Sequence, residues 1–256
     1  MISKILGQLT TETLGRSCFC FNTLDSTSTY IKKMWKALPD GHTVISREQA
    51  SGRGRQGKTF YSPKDDGLYF SFLLKDEKYL NDPLFTVKMS YILCKAIDAL
   101  TETEDVTIKW VNDIYIGSKK LAGILCEALH DGTHNGIIVG IGVNFVLNKA
   151  EVPSELRGKI GSLRDIAKKA YSKERLTALI LNGVEEAFSD KISTPEFLAL
   201  YRKRSAVLGK EIKVLKNNEF IKAAALDISE DGGLLVRYSD GVTEKLTAGE
   251  ITTALE

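Results

Sequence analysis

An α/β chain closed by a small C-terminal β-barrel is what the sequence predicts, on three observations. From Tyr30 onward, stretches with apolar residues at helical spacing alternate with short β-rich runs. The helical periodicity stops near residue 208. Beyond it come only short β-rich runs cut by glycine turns.

The elements come in this order. Tyr30, Ile31, Met34, Trp35 and Leu38 recur at helical spacing and stop at Pro39-Asp40-Gly41, which predicts a first helix over 30–38. Val44-Ile45-Ser46 reads as a strand, the polar glycine-rich run 51–58 as a loop, and 68–74 as a second, apolar strand. The loop therefore joins two strands. Leu84, Val87, Ile92, Ala96 and Ile97, with Pro83 at the start, predict a long buried helix to about Leu100 that backs the sheet. Segments 107–109, 113–116, 121–128 and 136–142 read as strands of a meander, with Gly117-Ser118-Lys119 as a turn. Helical periodicity returns over 173–188 and 194–208, the latter opening on Thr194-Pro195-Glu196. Runs 211–215, 221–227, 234–238 and 243–246, cut by Asp231-Gly232-Gly233 and Asp240-Gly241, complete the barrel. This divides the chain into domains 1–207 and 208–256.

Composition narrows the class. With 256 residues, 43% hydrophobic and 27% charged, the chain can bury one substantial core and carry a small second domain. The 35 Lys+Arg against 33 Asp+Glu leave a net charge of +2, unlike a dedicated nucleic-acid binder, so any positive site is local. Residues 1–11 lack the apolar run of a secretory signal, and no stretch approaches a membrane span. A cytoplasmic protein without membrane contact is expected. Cys18, Cys20, Cys94 and Cys126 form no CxxC, and Cys94 and Cys126 lie in apolar patterns, so neither disulfides nor a cysteine zinc site is expected.

Ser51-Gly52-Arg53-Gly54-Arg55-Gln56-Gly57-Lys58-Thr59-Phe60 matches the P-loop and the GxGxxG patterns at once. Both need a helix directly after the loop, whose free N–H groups hold the phosphate. Phe60-Tyr61-Ser62-Pro63 and the polar run after it cannot propagate one. A kinase-type loop between strands requires a His-Arg-Asp catalytic loop, which His42, His130 and His134 do not supply. A solvated charged hairpin remains the bland reading. Against it, Arg53, Arg55 and Lys58 alternate with glycines, so backbone and guanidinium donors can close around an anion as a lid.

Lys109-Trp110-Val111-Asn112-Asp113 enters the meander, and Lys120-Leu121-Ala122-Gly123-Ile124-Leu125 returns from its turn. Strand pairing across 117–119 brings Asp113 toward Lys120, an acid and a base at one sheet face. A surface ion pair is the alternative. Gly123 within bulky neighbours argues for close approach of another group, such as a ligand. Gly140-Ile141-Gly142-Val143-Asn144 repeats the theme of small residues and an amide at a strand end, and reads equally as a β-bulge.

The ordered set Asp25-Ser26-Thr27-Ser28, the segment from Glu48 to Gly57, Lys109-Trp110-Val111-Asn112-Asp113, Lys120 to Leu125 and Gly140 to Asn144 closely resembles the biotin protein ligase family. The resemblance runs from about residue 22 to Ala248-Gly249-Glu250-Ile251, which looks like the end of that family's SH3-like domain. It implies a catalytic domain of the class II aminoacyl-tRNA-synthetase kind, with a mixed sheet and flanking helices, plus a small SH3-like β-barrel. It implies two half-reactions: biotin and ATP, with Mg2+, give biotinyl-adenylate, and a lysine of a biotin carboxyl carrier protein or domain then takes the biotin. It places Ser26, Thr27, Gln49, Arg53, Lys120 and Gly123 at biotin, and Arg53, Arg55, Lys58, Phe60, Asn112, Lys120 and Asn144 at ATP. Lys120, Arg55 and Asp113 are the implied catalytic residues, and no side-chain metal site is expected. Ser28, Lys58, Phe60 and Val111 depart from the family's usual Asn, Arg, Trp and Pro. Phe60 keeps an aromatic face for adenine and Lys58 keeps its charge without bidentate geometry, which bears on nucleotide affinity.

Three other readings compete. Only about two dozen residues precede Asp25, too few for a winged helix, so no DNA-binding role is expected. A lipoate-type ligase would share fold and chemistry, but Gly-Arg-Gly-Arg with Lys-Trp-x-Asn-Asp favours biotin. A non-catalytic carrier-binding module would be expected to lose Arg55 or Lys120, and both are present. The oligomeric state stays open, a homodimer included.

Overall fold

In the computed structural model, residues 1–167, 171–189, 192–249 and 251–253 are described. In chain order they form α1 (Ile2–Leu6), β1 (Cys18–Leu24), α2 (Thr27–Met34), β2 (Thr43–Gln49), β3 (Gly67–Leu74), α3 (Glu77–Leu80) and α4 (Phe85–Thr101). Next is a meander of β4 (Val106–Lys109), β5 (Asp113–Ile116), β6 (Lys119–His130) and β7 (Asn135–Asn144). Then come α5 (Lys173–Ala187), α6 (Thr194–Lys203), β8 (Glu211–Lys216), β9 (Glu219–Ile228), β10 (Leu234–Tyr238), β11 (Thr243–Leu246) and β12 (Ile251–Thr253).

The first seven strands make one mixed sheet in the order β1-β2-β3-β7-β6-β5-β4. β1 and β2 run parallel, because α2 returns the chain to the same end of the sheet, and the other neighbours are antiparallel. β3 is buried at all of its residues, which is why it reads as an unbroken apolar run instead of an alternating one. α4 buries Val87, Ile92, Leu93 and Ile97 against one sheet face together with Leu176, Ile180 and Val184 of α5. Ile31 of α2, with Trp35 and Leu38 just beyond it, covers the other face over Val44, Leu73 and Ile138.

The C-terminal strands form a separate antiparallel sheet, order β11-β10-β9-β8-β12, as the α/β-plus-barrel reading expects. Its inner residues Ile212, Val214, Ala223, Leu234 and Val236 join the main core, so the two sheets share apolar packing. The Trp110 indole N–H also donates to the Gly232 carbonyl at 3.0 Å. Among the described residues no helix is long and apolar enough to cross a membrane.

Several elements differ from the sequence reading. The first helix starts at Thr27 and stops at Met34; Trp35 and Leu38 keep the helical spacing but lie in the exit turn. α1 and α3 are too short for periodicity to show, and β1 is an edge strand whose exposed Phe19 and Cys20 hide the alternation. The meander turn is two residues, Gly117-Ser118, with Lys119 already paired to Ile116. Glu250, within the expected end motif, lies outside the described residues.

Asp98 of α4 pairs with Arg204 just after α6, yet its other oxygen finds no partner, and burial pushes the carboxyl up to about 6 against the pull of the arginine. The sign comes from comparing states. Below about pH 4 the group is protonated both folded and unfolded; between about pH 4 and 6 the unfolded chain ionises first, so stability falls with rising pH, by about 3 kcal/mol over that window. Asp98→Asn is expected to flatten this part of the profile in urea titrations of both proteins across the window.

Candidate functional site

The site begins with a one-residue irregularity. β5 and β6 pair Ile116 with Lys119 and Tyr115 with Lys120, and then the register shifts so that Ile114 faces Ala122 and Asp113 faces Gly123. A regular ladder would set Ala122 opposite Asp113 and turn Gly123 to the far face; the bulge adds a residue and re-aims the side chains beyond it. Asp113, Lys120 and Gly123 thereby share one face. Lys120 Nζ lies 2.7 Å from Asp113 Oδ1, with the side chains 31% and 25% exposed. A Cβ at Gly123 would sit 3.3 Å from Lys120 Cε and 3.4 Å from Asp113 Oδ1, so the glycine leaves room for the lysine to lean across to the acid. Sequence reasoning expected that room to serve a ligand; in the fold the groups beside it are those of the pair itself.

The glycine-rich loop closes above this floor as a tight hairpin. Phe60 N donates to Gly52 O at 2.9 Å and Gly54 N to Lys58 O at 2.7 Å, while Arg53 and Thr59 form an isolated bridge. Gln56 and Gly57, at φ 52° and 75°, make the reversal. No α-helix comes directly after it, which removes the P-loop and Rossmann readings in structural terms. Arg55 donates to Asn112 Oδ1 at 3.1 Å and to Gly249 O at 3.3 Å, and Asn112 in turn donates to Ile124 O at 2.5 Å. Arg53 makes a two-pronged pair with Glu127 at 2.7 and 2.8 Å. Phe60 lies over Gly142, where a Cβ would come within 2.5 Å of its ring.

At the other end stands the start of α2. Ser26 caps it, and Thr27 donates both its N–H and its hydroxyl to Gln49 Oε1, at 2.9 and 3.2 Å. Gln49 passes its amide to Ser62 Oγ at 3.0 Å, and Thr27 and Ser28 hydroxyls meet Ser71 at 2.7 and 2.9 Å. This is a polar, hydrogen-bonded pocket end, with donors and acceptors already oriented.

One cleft of about 510 Å³ gathers these groups. Ser26, Thr27, Gln49, Arg53, Arg55, Lys58, Phe60, Asn112, Asp113, Lys120 and Gly123 all line it. Asn144 does not: it is buried behind the floor, donating to Gly161 O at 3.0 Å and to Lys120 O at 3.4 Å. Its amide thus holds the backbone of Lys120. Sequence reasoning missed the segment 156–161, which lies beside Lys120 through Lys120 N to Lys159 O and Gly161 N to Lys120 O, both 2.9 Å, and supplies Leu156, Lys159 and Ile160 to the wall. Gly249 and Ile251, which sequence reasoning read as the end of the C-terminal domain and not as part of the site, also line the cleft. Segment 156–161 is held to Lys120 and Gly249 to Arg55 through backbone atoms, and those contacts leave no side-chain signature.

A cleft with several cations around a single lining carboxylate among the described residues suits a substrate that brings its own negative charge. The comparisons agree with that chemistry. A model of the biotin/lipoate A/B protein ligase family matches residues 20–144, and one of the biotin protein ligase C-terminal domain matches residues 207–252. The bifunctional ligase/repressor BirA of Escherichia coli (strain K12) is 26% identical over 97% of this chain and 76% of its own length. The biotin–[acetyl-CoA-carboxylase] ligase of Mycobacterium tuberculosis is 25% identical over 83% of this chain and 79% of its own. Among solved structures, a biotin protein ligase from Aquifex aeolicus in complex with biotin and ATP superposes with a TM-score of 0.80 at 26% identity, covering 93% of this chain and all of that one. Both family models match in order, and the segments they span meet in one cleft through the Arg55 contacts to Asn112 and Gly249: the chain belongs to the biotin protein ligase family.

Proposed function

We propose that this protein forms biotinyl-5′-AMP from biotin and ATP and transfers the biotin to a lysine of a biotin carboxyl carrier protein or domain. The observation that carries the assignment of roles is Lys120, held 2.7 Å from Asp113 on the cleft floor beneath a hairpin that brings Arg53 and Arg55 to the same cleft. In the first step a biotin carboxylate oxygen attacks the α-phosphorus and pyrophosphate leaves. In the second, the carrier lysine nitrogen attacks the acyl carbon, the mixed anhydride breaks, and AMP leaves with the electron pair.

Each residue has a part set by its charge and position. The polar end at Ser26, Thr27 and Gln49 takes the ring of biotin, with Gly123 flooring its path. Arg53 meets the carboxylate, and Lys120 stands between carboxylate and α-phosphate, where negative charge from both must be brought together. Arg55, oriented by Asn112, meets the phosphate, with Lys58 on the same hairpin. Phe60 supplies an aromatic face for adenine, and Asn144 acts through the strand that carries Lys120. Asp113 receives the proton of the carrier lysine. Magnesium is implied as the nucleotide's counter-ion, carried by phosphate oxygens and water with no cluster of metal-ligating side chains among the described residues, and it would neutralise phosphate charge. We place the protein in the cytoplasm, assign it no nucleic-acid partner, and leave a homodimer as a proposal for gel filtration. We also propose residues 1–207 and 208–256 as its two domains.

The decisive assay incubates the protein with biotin, ATP, magnesium and a biotin carboxyl carrier domain, with lipoate in parallel. Label on the carrier from biotin alone is the expected result; label from lipoate, or none, overturns the assignment. A finer expectation concerns the hairpin. Gly142→Ala would bring a methyl to 2.5 Å from Phe60 Cε1, so the ring must leave its seat. The KM for ATP is expected to rise about fivefold, the loss of an aromatic contact worth about 1 kcal/mol, while the KM for biotin stays within about twofold.

A further inference from the structure

We infer that Glu127 is a positioning residue for the ligase reaction: it holds the Arg53 guanidinium over the acid-binding end of the cleft and so latches the glycine-rich hairpin shut. The inference rests on the reading that Arg53 meets the substrate carboxylate. Glu127 sits on β6 four residues beyond Gly123, and the period of two puts it on the same face as Gly123 and Leu125, both of which line the cleft. Its oxygens each take one N–H from Arg53, Oε2 from Nη1 at 2.7 Å and Oε1 from Nη2 at 2.8 Å. The carboxylate is 15% exposed and the guanidinium 37%, so this is a bidentate pair desolvated chiefly on its carboxylate side. Lys32 of α2, 3.4 Å from Oε1 and 53% exposed, adds a weaker second cation.

The arrangement does more than neutralise charge. A guanidinium has five N–H donors, and an end-on carboxylate occupies two, leaving three for a second anion. Holding the plane of the group from behind removes rotamers that an exposed arginine would otherwise explore, so less entropy is lost when substrate binds. Arg53 also stands at the base of the hairpin, bridged to Thr59, so the grip on its side chain is a grip on the loop that carries Arg55, Lys58 and Phe60. Nothing in the local sequence announces this, because Glu127 and Arg53 are 74 residues apart.

The test is Glu127→Gln, which keeps size and one acceptor but removes the charge. Loss of a charge-assisted pair is expected to raise the KM for biotin about tenfold, with kcat for pyrophosphate release within about threefold. Trypsin cleavage after Arg53 in the ligand-free protein is expected to speed up at unchanged thermal midpoint. In an Arg53→Ala background the same substitution should add nothing, because the latch is already gone. A fall in the KM for biotin would make Glu127 a competitor for Arg53 and overturn the idea, as would an undiminished effect in the Arg53→Ala background. If the wild-type protein made no adenylate, the functional reading would fail instead, and the proteolysis comparison would still decide the latch.

Discussion

Lys120→Gln is expected to lower the rate of biotin-dependent pyrophosphate release by about a hundred- to a thousandfold, the range typical when one preorganised donor to transition-state charge is removed. The reaction must press a carboxylate against a triphosphate, and both are anions. In the proposed assignment the Lys120 ammonium takes charge from each, and it is fixed from three sides: Asp113 grips its Nζ at 2.7 Å, segment 156–161 pairs with its backbone, and Asn144 holds its carbonyl. Glutamine is one bond shorter and keeps a donor but not the charge. Since the loss falls on the transition state, kcat should drop far more than the KM values rise. A near-normal rate would return Lys120–Asp113 to the status of a surface ion pair, worth little in solution.

Asp113→Asn is expected to slow the second half-reaction by about a hundredfold when biotinyl-adenylate is supplied directly, with a smaller loss in the first. Two effects separate by step. As base, Asp113 takes the proton of the attacking carrier lysine, an amine with a pKa near 10.4 in solution and therefore almost wholly protonated at neutral pH. Each added pH unit raises the free amine about tenfold in that range, so transfer by the variant should recover as pH rises. As partner of Lys120, Asp113 sets where the ammonium sits, and that loss touches adenylation and is not repaired by pH. Adenylation falling further than transfer, without pH rescue, would leave Asp113 as an orienting group alone; unimpaired rates for both steps would make it a structural residue of the strand pair.

Much of this molecule was legible in its sequence because local physics writes a local pattern. The buried face of α4 repeats every three to four residues, β3 is apolar throughout because both its faces are covered, and Gly117-Ser118 can only be a turn between strands. The residues that carry charge to the cleft were legible too, since Arg53, Arg55 and Lys120 advertise themselves by type and by the glycines beside them. The edge strand β1 was not, because a strand with exposed Phe19 and Cys20 is held by its hydrogen bonds to β2 and shows no clean alternation.

What only the tertiary structure decided is how these pieces meet. The bulge that sets Gly123 rather than Ala122 opposite Asp113 is a matter of register between two strands, and either register satisfies the same residues locally. Segment 156–161 and Gly249 contribute carbonyls and N–H groups that every residue owns, so no side chain marks them in advance. Arg55 finds its second acceptor 194 residues along the chain, and Arg53 finds its carboxylate 74 residues along it, on β6. By itself the sequence determined which charges and which elements exist, through composition and period; the partners of those charges are chosen by long-range packing, whose energy is spread over the core and leaves no trace at the residues it brings together.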